Sequence, residues 1–118
     1  MIINTKELYD DGFLRVEHRH YYIAYTGKLI KLARAEFLII SKLAQNCDRF
    51  VLSRDIWSYV WQDERPFNKE SLKVNIHALR QKLKPHGITI ETMVNIGYKL
   101  VTKQNLKHPK KISEILNN

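Results

Sequence analysis

The chain has 118 residues, the size of one domain, and 44% of them are hydrophobic, which excludes a disordered polar chain. Twenty Lys and Arg against 12 Asp and Glu leave a net charge of +8, which calls for a polyanionic partner, nucleic acid first and an anionic membrane second. Cys47 is the single cysteine, the opening M-I-I-N-T-K-E has no secretory apolar region, and no apolar run reaches transmembrane length, so a reducing, cytoplasmic setting is expected.

Residues 8–31 read as a small antiparallel sheet. Asp10-Asp11-Gly12 is a turn signal, Phe13, Leu14 and Val16 lead towards His18 and His20, and Tyr21–Tyr25 is rich in β-formers. Thr26-Gly27-Lys28 turns into Leu29–Leu32, giving four short strands that need helices packed on them to bury a face. Residues 34–46 predict a first helix, with Glu36, Phe37, Ile40, Leu43, Ala44 and Cys47 on one side and Arg34, Ser41, Lys42 and Gln45 on the other. Phe50-Val51-Leu52 reads as an apolar connector. Ser53 is placed to cap a short second helix in which Ile56 pairs with Val60 and Trp57 with Trp61. A loop at 62–67 follows.

Residues 68–84 predict a third helix. Leu72, Ile76, Leu79 and Leu83 form one apolar stripe, within roughly 60° at 100° per residue. The opposite side carries Lys73, Val74, His77, Ala78 and Gln81, flanked by Arg80 and Lys84. Asn68 is its expected cap, Glu70 suits its positive terminus, and Pro85 with Gly87 end it. Residues 88–101 read as a β-hairpin turning at Asn95-Ile96-Gly97. From residue 103 the composition becomes basic and polar, so the expected division is a folded domain at 1–102 and a mobile basic tail at 103–118.

Four segments in this order carry a resemblance: L-A-R-A-E-F-L-I-I-S-K-L at 32–43, S-R-D-I-W-S-Y-V-W at 53–61, S-L-K-V-N-I-H-A-L-R-Q-K-L at 71–83 and I-E-T-M-V-N-I-G-Y-K-L at 90–100. Together they resemble the winged helix-turn-helix effector domain of OmpR/PhoB-type response regulators, over about residues 8–101. The resemblance implies an α+β winged helix-turn-helix fold: an N-terminal small antiparallel sheet, a three-helix core and a C-terminal β-hairpin wing. It also implies sequence-specific binding of double-stranded DNA in transcription regulation. The helix at 68–84 would enter the major groove, with the hairpin at 88–101 as wing. The family further implies contact with RNA polymerase through the loop at 62–67, and head-to-tail dimers on direct-repeat sites. Family members carry an N-terminal receiver domain, which these residues do not include. The wing position that often holds a minor-groove arginine is Val94, with Asn95 where glycine is usual. Ala78 stands at an outward position that is often arginine.

On that reading Lys73, Arg80 and Lys84 neutralise phosphates, the sequence-independent part of affinity, and Lys69 and Asn95 belong to the same DNA-binding set. Val74 is either a tolerated surface valine or a contact for a thymine methyl. Gln81 is either a solvated helix residue or a partner for adenine. His77 can donate to guanine or phosphate, and Ala78 admits the helix backbone close to the bases. Arg54 and Trp61 match backbone-touching positions of the family, although Trp61 also reads as core. The hydroxyls of Thr92 and Tyr98 can serve phosphate as well.

The alternative is a winged-helix protein-interaction module that seats a partner on Val74 and Ala78. A membrane role lacks an amphipathic helix with a large exposed apolar face, and the basic helix lacks the stacking aromatics of a single-strand RNA platform. His18 and His20, two apart on a strand, can face one way, but no third ligand is near and no metal is expected. With no Gly-rich phosphate loop, nucleophile elbow or H-E-x-x-H motif, neither catalysis nor a cofactor is expected.

Overall fold

A computed structural model describes residues 2–62 and 64–101. The tail expected at 103–118 lies outside the described residues. The first sheet is antiparallel and runs in sequence order: β1 (Ile3–Asn4), β2 (Leu8–Asp10), β3 (Leu14–Glu17), β4 (Tyr22–Tyr25) and β5 (Lys28–Ile30). Its turns use the expected chemistry. The Asp10 carboxylate accepts from the Gly12 amide at 2.9 Å, that of Asp11 from the Phe13 and Leu14 amides at 2.9 and 2.7 Å, and Gly12 sits at φ +90°. The fifth strand, β1, was not expected. It is two residues long, too short for an alternating pattern, and pairs Ile3 with Asp10 and Asn4 with Tyr9.

Alternation along β3 turns Leu14 and Val16 inward, onto α1 (Arg34–Gln45). This helix touches the sheet, the two later helices and the last strand, so it is covered on most sides. Ser41, expected on its solvent side, is therefore fully buried, together with Leu38 and Ile39. His18 explains how a hydroxyl is accommodated there: its Nδ1 lies 2.7 Å from Ser41 Oγ, which is 3.1 Å from the Tyr59 hydroxyl.

The connector at 50–52 proves to be a strand. β6 (Val51–Leu52) pairs with β8 (Gly97–Val101), and β7 (Thr89–Met93) completes a second sheet in the order β6-β8-β7. Gly97 is demanded by this pairing, because a Cβ there would lie 1.9 Å from the Val51 carbonyl oxygen. The same pairing displaces the expected cap of α2 (Ser53–Trp61). Leu52, held extended in β6, occupies the cap position, and the Ser53 amide donates to the Ile96 carbonyl at 3.1 Å. In α2, Ile56, Trp57 and Val60 are buried, and the Trp57 and Trp61 rings lie 4.0 Å apart.

Helix α3 (Lys69–Leu83) starts as expected, with the Asn68 side-chain oxygen accepting from the Ser71 amide at 3.0 Å. It ends in a short 3₁₀ turn (Lys84–His86), and Gly87 closes it in the left-handed conformation at φ +72°. Leu72, Ile76, Leu79 and Leu83 are all buried, anchoring α3 in a core shared with α1, α2 and the wing. Each such side chain contributes about 1.5–3 kcal/mol of transfer free energy. The architecture is the α+β winged helix-turn-helix order of sheet, three helices and hairpin.

Candidate nucleic-acid interface

With the leucine stripe facing inward, the remaining side chains of α3 divide by angle. At 100° per residue Lys69, Lys73, Arg80 and Lys84 share a strip roughly 60° wide, and Val74, His77 and Gln81 share the neighbouring strip. Lys69, Lys73, Val74, His77, Gln81 and Lys84 are exposed, Val74 at 68%, and Ala78 is half-buried. The only acidic neighbour within this part of the helix is Glu70, whose carboxylate lies 3.7 Å from the Lys73 amine in a solvent-exposed pair worth about 0.5 kcal/mol. The outer side of α3 is thus cationic along one edge, with an apolar and hydrogen-bonding centre.

The wing stands beside the cationic edge. Its tip, Met93–Ile96, turns with Asn95 at φ +63°, a conformation asparagine tolerates, and the Ile96 amide donates to the Met93 carbonyl at 2.9 Å. Lys69 donates to Asn95 Oδ1 at 2.6 Å, linking the first turn of α3 to the wing tip. Between helix and wing lies a cleft of about 560 Å³. Leu52, Phe67, Val94 and Tyr98 supply its apolar lining, and Lys69 and Lys73 its charge. Arg54 borders it, with its guanidinium 4.6 Å from the Phe67 ring centre. Burial pushes the Tyr98 phenol above its ordinary value, against an opposing pull from Arg80, so it stays a hydrogen-bond donor at neutral pH.

The structure brings Arg54, Lys69, Lys73, Thr92, Asn95 and Tyr98 to this one cleft. Trp61 stands apart from it, half-buried against Trp57 and with Arg65 5.6 Å from its ring centre. Arg80 differs from the other cations. Its guanidinium is turned onto the wing, where Nε and Nη2 donate to the Ile90 carbonyl at 3.1 and 2.6 Å and Nη2 donates to Thr92 Oγ1 at 2.7 Å. Thr92 is committed to the same contact. Lys82, not singled out in the sequence, is exposed but reaches the buried Glu36 carboxylate, to which it donates at 2.6 Å. That carboxylate also accepts from the Ala33 amide at 2.8 Å at the start of α1. Glu36 at the third position of a helix was the available signal for the cap, but nothing in the sequence marked its partner 46 residues away.

The histidines do not share a face, because β3 ends at Glu17. His18 is buried, with Nε2 unpartnered, and His20 is exposed beside Glu17 at 3.3 Å. No group of three His, Cys, Asp or Glu able to hold a metal comes together among the described residues. Burial pushes the Cys47 thiol up to about 11, which keeps it protonated and unreactive at neutral pH. No helix among the described residues is long and apolar enough to cross a membrane.

Residues 27–100 match the family described as transcriptional regulatory protein, C terminal. The chain is 35% identical over 71 residues to the sensory transduction protein BceR of Halalkalibacterium halodurans, a match covering 58% of this chain and 31% of that protein. Its structure is similar to that of the response regulator DrrB, a Thermotoga maritima OmpR/PhoB homologue, with a TM-score of 0.69 and 25% identity over 81% of this chain and 45% of DrrB. It shares its fold with the Klebsiella pneumoniae RstA DNA-binding domain solved in complex with the RstA box, with a TM-score of 0.68 and 20% identity over 80% of this chain and 97% of that one. The matches span less than half the length of BceR and DrrB.

Proposed function

The chain belongs to the OmpR/PhoB-type family of transcriptional regulatory protein C-terminal domains, and from that premise we propose that it regulates transcription by binding double-stranded DNA in a sequence-specific way. Helix α3 enters the major groove, with Val74, His77, Ala78 and Gln81 towards the base edges. The wing lies over the adjacent minor groove or its phosphates. The observation that carries this reading is the outer side of α3: Lys69, Lys73 and Lys84 edge an exposed strip of Val74, His77 and Gln81, with a single acidic neighbour. Phosphates meet the cations and fix register, while the polar and apolar centre reads bases. A protein-interaction module on the same face is not favoured, since the apolar Val74 and Ala78 are bordered by charge on the side where a partner helix would pack.

In the same reading, Arg54 and the Lys69–Lys73 edge of the cleft hold the sugar-phosphate backbone that passes between α3 and the wing. The loop at 62–67 is the surface offered to RNA polymerase. Its support is that the Arg65 carbonyl accepts from Trp57 Nε1 at 2.9 Å, so a described part of the loop is anchored to α2. Two chains stand head to tail on direct-repeat half-sites, in a cytoplasmic setting. Selection of bound sites from random duplex DNA tests the reading. The expected outcome is a defined motif repeated in the same orientation about one helical turn apart. Recovery of no enriched duplex would contradict it.

A further inference from the structure

We propose that Arg80 is a positioning residue that sets the angle between wing and recognition helix, so that the two engage DNA as one rigid reader. The proposal rests on the DNA-binding reading for its consequence, but not for its geometry. β7 is an edge strand, with β8 on one side only. Arg80, the twelfth residue of α3, presents two donors of its planar fork to the Ile90 carbonyl of that strand at 3.1 and 2.6 Å. The second of these nitrogens also reaches Thr92 Oγ1 at 2.7 Å, and the guanidinium lies 5.7 Å from the centre of the Tyr98 ring on β8. One side chain therefore touches both strands of the wing from the helix that carries the base-facing residues.

The consequence follows from what else joins the two elements. At the far end of the wing the polar link to α3 is Lys69 to Asn95, between exposed groups and open to water. Such a contact is worth little in free energy. The Arg80 contact is partly buried, uses a pre-organised fork, and sits where the hairpin leaves the core. A wing held there presents its tip at one height above the groove. A wing released there retains its strands but samples a range of angles, and binding then has to restrict them, which lowers affinity. Lysine keeps the charge but has no fork, so it cannot reproduce the contact.

Four chains test this: wild type, Arg80→Lys, Arg80→Ala and Thr92→Val, each checked for folding by its thermal transition. The first measurement is the backbone ¹⁵N heteronuclear NOE of wing amides 89–101 in the DNA-free protein. The second is duplex affinity on a selected site as a function of salt. A positioning role predicts falling NOE values at 93–97 in both Arg80 variants and, less, in Thr92→Val. It also predicts an affinity loss of about tenfold in Arg80→Lys, with the slope of log K against log salt unchanged. A direct phosphate ligand predicts the reverse, and that result would overturn the proposal: a rigid wing in every variant, affinity restored in Arg80→Lys, and a slope reduced by about 0.9 in Arg80→Ala. Should the wild-type chain bind no duplex, the DNA-binding reading fails, and the wing NOE values alone decide the role of Arg80. Should Arg80→Ala not fold, Arg80→Lys and Thr92→Val carry the same two outcomes.

Discussion

The two sides of α3 answer to different constraints. On the inner side, Leu72, Ile76, Leu79 and Leu83 are each at most 1% exposed. On the outer side, Val74 is 68% exposed, and His77 and Gln81 project into solvent. Along the seams, cations that look alike in sequence have separate duties. Lys73 faces outward beside Glu70, Arg80 is spent on the wing, and Lys82 neutralises the buried Glu36 carboxylate. The lesson is that charge on a basic helix is not one quantity. Part of it holds the domain together, and only the remainder is available to a polyanion.

The strongest way to break this comparison is at the inner side. Leu79→Ala should cost about 2–5 kcal/mol of stability, read from the urea midpoint, because it opens a cavity at a fully buried position. A cost below about 0.5 kcal/mol would mean that the stripe is not the anchor. Gln81→Ala should do the opposite, leaving stability within about 0.5 kcal/mol. In site selection it should relax preference at one base pair by about 1–3 kcal/mol. An unchanged motif would remove Gln81 from the readers. Lys82→Ala sharpens the distinction among cations, since it should lower stability by about 1 kcal/mol while the salt dependence of duplex binding stays that of wild type. A lowered salt slope would instead place Lys82 on the DNA.

The smallest effect concerns the buried polar pair beneath α1. Burial holds the His18 imidazole below its ordinary value of 6.5, opposed by Glu17. The unfolded chain then takes up the proton first, so stability is full at pH above 6.5 and falls as pH drops through that value. The fall in urea midpoint between about pH 8 and about pH 5 should be shallower in His18→Asn than in wild type. Equal slopes would show that the Ser41 contact does not depend on a neutral ring.

How much of this was legible in the sequence follows from the range of each interaction. The α3 stripe repeats at one-turn spacing, its Asn68 cap and Gly87 stop are equally local, and all three stand in the structure as expected. So does the hairpin, although its turn is at 94–96 and Gly97, expected in the turn, already belongs to β8. Strands β1 and β6 were missed because two residues carry no period, and β6 exists only because β8 lies beside it. Ser41 is buried against expectation because α1 is covered by a sheet and two helices, and such a helix has no single polar face. The partners of Arg80 and Lys82 were invisible for a related reason. They are 10 and 46 residues away, and a side chain's charge does not state where the fold will take it.

The central claim is that the outer side of α3 meets a polyanion through its exposed lysines Lys69, Lys73 and Lys84. It is tested most directly by measuring duplex affinity on a selected site from about 50 to 200 mM salt, for wild type and for Lys73→Ala. The expected result is a steep, linear loss of affinity with log salt in wild type, and a slope about 0.9 smaller in Lys73→Ala with affinity lowered alike on every duplex. A flat slope in wild type, or an unchanged one in the variant, would contradict it.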